Sequence, residues 1–167
     1  MGSDSDLPVM RPAVDALREF GVTVDLHVTS AHRTPDRTRQ IVRDAPKNGV
    51  RVFIVGAGGA AHLAGTVAAL TALPVLGVPI ASTTLGGLDA LLATAQMPAG
   101  IPVGTLAIGE AGARNAALLA VAILAIHDTD LSNKLAAYRS RLAEGVAEKS
   151  RRAREAVGLA NQVDDAG

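Results

Sequence analysis

The sequence predicts an α/β domain in which a parallel sheet carries helices on both faces, and three observations lead there. Short β-branched runs alternate along the chain with Ala- and Leu-rich stretches of helical period. The runs read as strands buried on both faces, as in parallel sheets. The linkers that lead from run to helix hold most of the glycine, small polar and histidine content of the first half, as expected where ligands meet the carboxyl ends of parallel strands.

Taken in order, the chain opens with GSDSD at residues 2–6 and a first helix. Asp6 suits its cap, Pro8 its first turn, and Gly21 ends it after Phe20; Pro12 lies deeper and is expected to kink it. Strands are expected at Val22–Thr29, Val50–Ala57, Val75–Ile80 and Val103–Ile108, with helices at about 35–48, 59–72, 86–97 and 110–127. Thr34, Pro35 and Asp36 mark the start of the 35–48 helix as cap, first-turn proline and dipole partner. GSDSD should follow a strand, yet only Met1 precedes it, so the opening strand is expected to be missing, or the start codon assigned too late. From Asp130 onward a charged helix places Leu131, Leu135, Tyr138 and Leu142 at helical spacing, an arm suited to pack on the body or on a neighbour. The expected organisation is an α/β catalytic domain over 1–128, this helical arm over 129–158, and a disordered tail over 159–167.

Composition narrows the function classes. Lys+Arg and Asp+Glu both number 16, which leaves no basic field for nucleic acid. There is no cysteine, so disulfides, thiolate nucleophiles and cysteine-based metal sites are excluded, and a cytoplasmic setting is expected. Apolar stretches are interrupted before they could span a bilayer, so no membrane partner is expected. Aromatics make up 2% against 49% hydrophobic residues, so the core must be built from Ala, Val, Leu and Ile at close range, and oligomerisation would bury more surface. No HExxH, GxSxG or P-loop lysine motif is present, so no metal and no cofactor is expected.

Three loops hold the candidate chemistry: GSDSD at 2–6, SAHRTP at 30–35 and GAGGAAH at 56–62. GSDSD offers hydroxyls and carboxylates ahead of a helix start, where backbone N–H groups can hold a phosphate and a carboxylate can bind ribose; it also reads as a plain capping loop. GAGGAAH permits close backbone approach to a ligand or serves a simple strand-to-helix turn, and it is not the dinucleotide fingerprint. His32 lies beside Arg33, which suits proton transfer next to an anion-binding guanidinium, though a loop histidine can equally be structural. His62, at a helix start, suits orientation or hydrogen bonding to a substrate carboxylate, or a structural role. His27 and His127 read as structural.

Taken together, GSDSD, SAHRTPDR, GAGGAAHLAG, PVLGVP, GLDALLATAQMPAGIPVGTLAIG and AGARNAALLAVAIL resemble, in order and spacing over about residues 2–140, the N5-carboxyaminoimidazole ribonucleotide mutases, also called the catalytic subunit of phosphoribosylaminoimidazole carboxylase. The resemblance implies a flavodoxin-like three-layer αβα fold, a homo-octamer with sites at subunit junctions, and a small ribonucleotide substrate. It further implies Ser3, Ser5 and Arg33 around the phosphate, Asp6 on the ribose hydroxyls, and Ser30 with the Gly58, Gly59 and His62 loop against the base and carboxylate. His32 would be the general acid/base. The chain departs from the family's usual pattern at Ala90, Ala93 and Glu110 and in HLAG for HLPG.

The implied chemistry loses an N-carboxylate as CO2 and re-adds it at ring carbon 4, after which a base removes that carbon's proton. An imidazole suits both proton steps, because its ordinary pKa near 6.5 lets it give and take a proton near neutrality. Two alternatives stand beside this: a related carboxylase that uses free CO2, and a flavodoxin-like nucleotide-binding module without catalysis.

Overall fold

The computed structural model describes residues 1–159. Its elements are α1 (Leu7–Glu19), α2 (Pro35–Asp44), β1 (Phe53–Gly58), α3 (His62–Ala68), β2 (Val75–Ile80), α4 (Leu88–Ala95), β3 (Gly104–Thr105), α5 (Glu110–Leu124) and α6 (Thr129–Ala156), with short 3-10 turns at Asp4–Asp6 and Ala45–Asn48. The strands form one parallel sheet in the order β1-β2-β3. Phe53 pairs with Val75 and the register runs through to Gly58 with Ile80, while β3 joins at Leu76 and Gly77.

Strand alternation divides the interior into two clusters. On one face Leu76, Val78 and Ile80 meet α1, α5 and the start of α6 through Met10, Phe20, Val121 and Leu131. On the other, Val55, Ala57 and Val75 meet α2, α3 and α4 through Val42, Leu63 and Ala90. Small residues set the spacing. Ala113, Ala116, Ala117 and Ala120 are buried along α5 where α1 packs with Ala13 and Ala16, which explains how a core with almost no aromatic side chains still fills its volume. Helices on both faces of a parallel sheet are the flavodoxin-like arrangement.

Local chemistry accounts for most boundaries. Gly21 (φ 77°) ends the first helix in the left-handed conformation, its N–H donating to the Arg18 carbonyl. Pro12 leaves α1 unbroken, since its missing N–H removes only a bond to the Pro8 carbonyl near the helix start. The expected 35–48 helix tightens into a 3-10 turn at Ala45, where Pro46 follows, and stops at Gly49. The other expected helices are present but shorter, and β3 is shorter than the expected Val103–Ile108 strand. Its ladder is continued by Leu106 N–H to the Gly77 carbonyl and Gly109 N–H to the Pro79 carbonyl.

One expectation fails. Residues 22–29 are extended but form no strand: the β-branched pattern is right, but no neighbouring chain lies along the segment to complete a ladder. Its backbone hydrogen bonds among the described residues are confined to Val22 N–H on the Leu17 carbonyl, Thr29 N–H on the Met1 carbonyl, and the Met1 amino group on the His27 carbonyl.

The arm is anchored by Asp128, whose carboxylate accepts from Leu131 N–H at 2.9 Å. It packs on the body through Leu131, Leu135 and Tyr138, whose ring meets Phe20 edge-on at 5.6 Å. Arg114 and Arg141 lie over the Tyr138 ring, and Glu19 bridges both guanidinium groups. Leu142, the next residue of the stripe, is exposed. The expected tail lies outside the described residues except for Leu159. No described helix is long and apolar enough to cross a membrane.

Candidate active site

The loops that follow β1 and β2, together with the 30–34 turn and the serine loop at 2–6, meet at the carboxyl edge of the sheet. The 30–34 turn is held from below by threonines. Thr38, almost completely buried, shares a hydrogen bond with Thr29 Oγ1 at 2.8 Å and donates to the Thr34 carbonyl. Thr34 caps α2 only in position: its hydroxyl instead accepts from Ser30 N–H at 3.0 Å and donates to the Ser30 carbonyl. Ser30 Oγ in turn accepts from Arg33 N–H at 3.1 Å. This network fixes the turn that presents His32.

The opposing loop is held by backbone strain. Ala61 (φ 45°, ψ 36°) is the one non-glycine residue in the left-handed region among those described, it is buried, and it immediately precedes His62 at the start of α3. Such a conformation costs on the order of 1–2 kcal/mol for an L-residue, and it persists here because Ala61 N–H donates to the Gly58 carbonyl at 3.0 Å. A Cβ on Gly58 would overlap the Ser82 side chain, so glycine here lets the loops that follow β1 and β2 approach one another.

The result is a direct meeting of two histidines thirty positions apart. His32 Nε2 lies 2.7 Å from His62 Nδ1, with the rings edge-to-face at 4.9 Å. One of these nitrogens must carry the hydrogen and the other accept it, so the tautomer of one ring is matched to that of the other. Both rings are solvent-exposed. The contact engages one nitrogen of each ring and leaves His32 Nδ1 and His62 Nε2 without a hydrogen-bond partner among the described residues.

The serine loop is tied mainly to itself. Asp6 does not cap α1 with its side chain; it reaches back to accept from Ser3 N–H at 3.0 Å, while Ser3 Oγ accepts from Ser5 N–H, closing a capping box. Ser5 Oγ donates to Ser3 Oγ at 2.8 Å. Its link to the rest of the site is the Thr29 N–H to Met1 carbonyl bond, which brings the start of this loop beside Ser30. Arg33 is exposed, and within the described residues no side-chain partner holds its guanidinium. Ser82 went unnoticed in the sequence, although its place just after the 75–80 run was signal enough. Gly59 (φ 59°) completes the turn before α3. The described residues contain no cluster of three or more His, Cys, Asp or Glu placed to share a metal ion.

Two cavities, each about 520 Å³, lie one between the 22–27 segment and β1, reaching Met1, Thr29 and Thr38 beneath these loops, and the other by Pro74 and Pro102. His32 and His62 stand exposed at this edge. Residues 1–145 match the model of the AIR carboxylase family. N5-carboxyaminoimidazole ribonucleotide mutase of Brucella melitensis is 54% identical over 149 residues, covering 89% of this chain and 92% of that relative. The same-named proteins of Thermotoga maritima and Pyrococcus horikoshii are 49% and 52% identical, over 91% and 93% of this chain and 88% and 86% of theirs. Among solved structures, Treponema denticola PurE superposes with a TM-score of 0.83 at 24% identity, over 91% of this chain and 94% of that one, a likeness of fold. With most of its length matched by the family model and by relatives at about half identity, the chain belongs to the AIR carboxylase family.

Proposed function

We propose that the protein converts N5-carboxyaminoimidazole ribonucleotide to 4-carboxy-5-aminoimidazole ribonucleotide in purine biosynthesis, as an intramolecular carboxylate transferase. The observation that carries this reading is the 2.7 Å contact between His32 Nε2 and His62 Nδ1 at the loop edge, in a chain about half identical to mutases over most of its length. His32 is the general acid/base. It gives a proton to the exocyclic nitrogen as the N–C bond breaks and CO2 leaves. Carbon 4 of the ring then bonds to the CO2 carbon, and the same imidazole takes the hydrogen that carbon 4 carried, so the proton count closes without another acid or base.

His62 fixes which nitrogen of His32 holds the proton. Ser3, Ser5 and Arg33 bind the phosphate, Asp6 the ribose hydroxyls, and Ser30 with Gly58 and Gly59 lines the base and carboxylate. Because CO2 is neutral and small, it must be retained between the two steps. Exposed loops cannot do that alone, which supports covering by neighbouring subunits of a homo-oligomer; an octamer is the assembly that the family resemblance implies. A cytoplasmic setting accords with this metabolic role.

The test is to supply the purified protein with N5-carboxyaminoimidazole ribonucleotide, and separately with aminoimidazole ribonucleotide and bicarbonate, following the carboxylated product. Fast turnover of the first alone is the expected result. Turnover of the second alone would make it a direct carboxylase, and binding without turnover of either would make it a nucleotide-binding module.

A further inference from the structure

The turn between β1 and α3 enters the left-handed region twice. Gly59 (φ 59°) does so freely: it has no side chain, and a Cβ there would meet nothing within 4 Å. Ala61 (φ 45°, ψ 36°) does so against the preference of its type, in a stretch where glycine stands at 56, 58 and 59. Glycine at 61 would be relaxed, so the strain is tied to the presence of the methyl group.

That methyl group is enclosed. Ala61 is 5% exposed and belongs to the buried cluster that includes Val55, Leu63 and Ala64. Its N–H donates to the Gly58 carbonyl at 3.0 Å, so backbone and side chain are both held, and the turn keeps one state where a glycine would visit several. His62 comes next, as the first residue of α3. Its carbonyl accepts from Thr66 Oγ1 at 2.9 Å, so the helix holds it from one side and Ala61 from the other. The His62 ring is exposed, and its one hydrogen bond among the described residues is to His32. The ring is thus aimed by the backbone that carries it rather than by packing around it.

We propose that Ala61 is a positioning residue for the histidine pair: its buried methyl group locks the left-handed turn and thereby holds His62 Nδ1 against His32 Nε2. This rests on the roles proposed above for the two histidines. Ala61 touches no substrate and acts through His62 alone. Strain at 61 is the counterpart of that fixed aim, since the relaxed alternative, glycine, frees the turn as it removes the anchor.

Ala61→Gly tests this, because it relieves the strained angle and removes the buried methyl group together. The two effects on stability oppose one another, so melting should stay within about 3 °C of the parent. With N5-carboxyaminoimidazole ribonucleotide, kcat should fall about tenfold, since misplacement by about 1 Å can cost on the order of a hundredfold, while KM stays within about twofold. In nitrogen NMR spectra of the imidazole rings, the His62 Nδ1 signal should move toward that of an exposed, unbonded histidine. In a His62→Asn background, Ala61→Gly should slow turnover by no more than about twofold further. Unchanged kcat and ring signals overturn the proposal whatever the melting temperature does, for Ala61 would then only fill space. Equal slowing with and without His62 also overturns it, by placing the effect on another group. If the parent does not turn over the ribonucleotide, the functional reading fails by itself and the ring signals decide: a displaced His62 Nδ1 signal in Ala61→Gly supports the positioning role, and an unmoved one overturns it.

Discussion

The turn bearing His32 and the loop bearing Ser3, Ser5 and Asp6 reach the same edge of the sheet, yet they are supported differently. The histidine turn rests on buried groups: Thr38 is 1% exposed and ties Thr29, Ser30 and Thr34 together, while the buried Ala61, its N–H on the Gly58 carbonyl, sets the start of the facing helix that carries His62. The serine loop spends its hydrogen-bonding groups on itself, through Ser3, Ser5 and the Asp6 capping box. On the roles proposed for them, the difference separates two tasks. Proton transfer demands fixed geometry before substrate arrives, whereas a phosphate can displace hydroxyls from one another as it binds.

The largest expected effect falls on the rigid side. His32→Asn should lower kcat by about a hundred- to ten-thousandfold while nucleotide binding and melting temperature stay near those of the parent, since in the proposed mechanism the ring acts on a proton, and it stands exposed. Steady-state kinetics beside equilibrium binding checks this. Next comes Arg33→Ala, where losing a charge-assisted phosphate contact worth about 1.5–3 kcal/mol should raise KM by about 10- to 150-fold with a smaller change in kcat. Arg33→Lys should restore only part, because it loses the planar fork. An unchanged KM would remove Arg33 from the phosphate site.

Thr38→Val breaks the comparison at its foundation. The hydroxyl is buried and bonded, so its loss should cost about 1–2 kcal/mol and lower the melting temperature by about 2–8 °C. It should also reduce kcat more than it raises KM, since it loosens the turn that aims His32. Ser5→Ala probes the self-tied loop and should have the smallest effect: melting within about 1 °C of the parent, because the Ser5–Ser3 hydroxyl bond is exposed, with a few-fold rise in KM. If Ser5→Ala destabilises the protein as much as Thr38→Val, the distinction between the two loops is wrong.

Much of this was legible in the residues. Val75–Ile80 was readable to the residue because both of its faces are buried, and helix ends marked by Gly21 and by Thr34–Pro35 fell where local chemistry places them. The loops at the carboxyl edge followed from the α/β order alone. What local pattern could not show was pairing: Val22–Thr29 has strand composition, but a ladder needs a neighbour, and that is a tertiary fact. Nor could spacing reveal that His32 and His62 touch, that Thr29 meets Thr38 beneath them, or that Asp6 turns back to Ser3 rather than capping α1. These contacts depend on loop conformation, and in particular on Ala61 adopting a backbone angle its type disfavours.

The central claim is that the two histidines act as one unit, because a 2.7 Å contact couples the proton on one ring to the state of the other. The most direct measurement is a double-mutant cycle on kcat with N5-carboxyaminoimidazole ribonucleotide as substrate, using His32→Asn, His62→Asn and the double variant, with nucleotide binding measured for each. Groups that work as a unit lose their effect together, so the double variant should be no slower than His32→Asn alone, within about twofold. A double variant slowed by the product of the two single losses would show that the rings act independently, and would contradict the account.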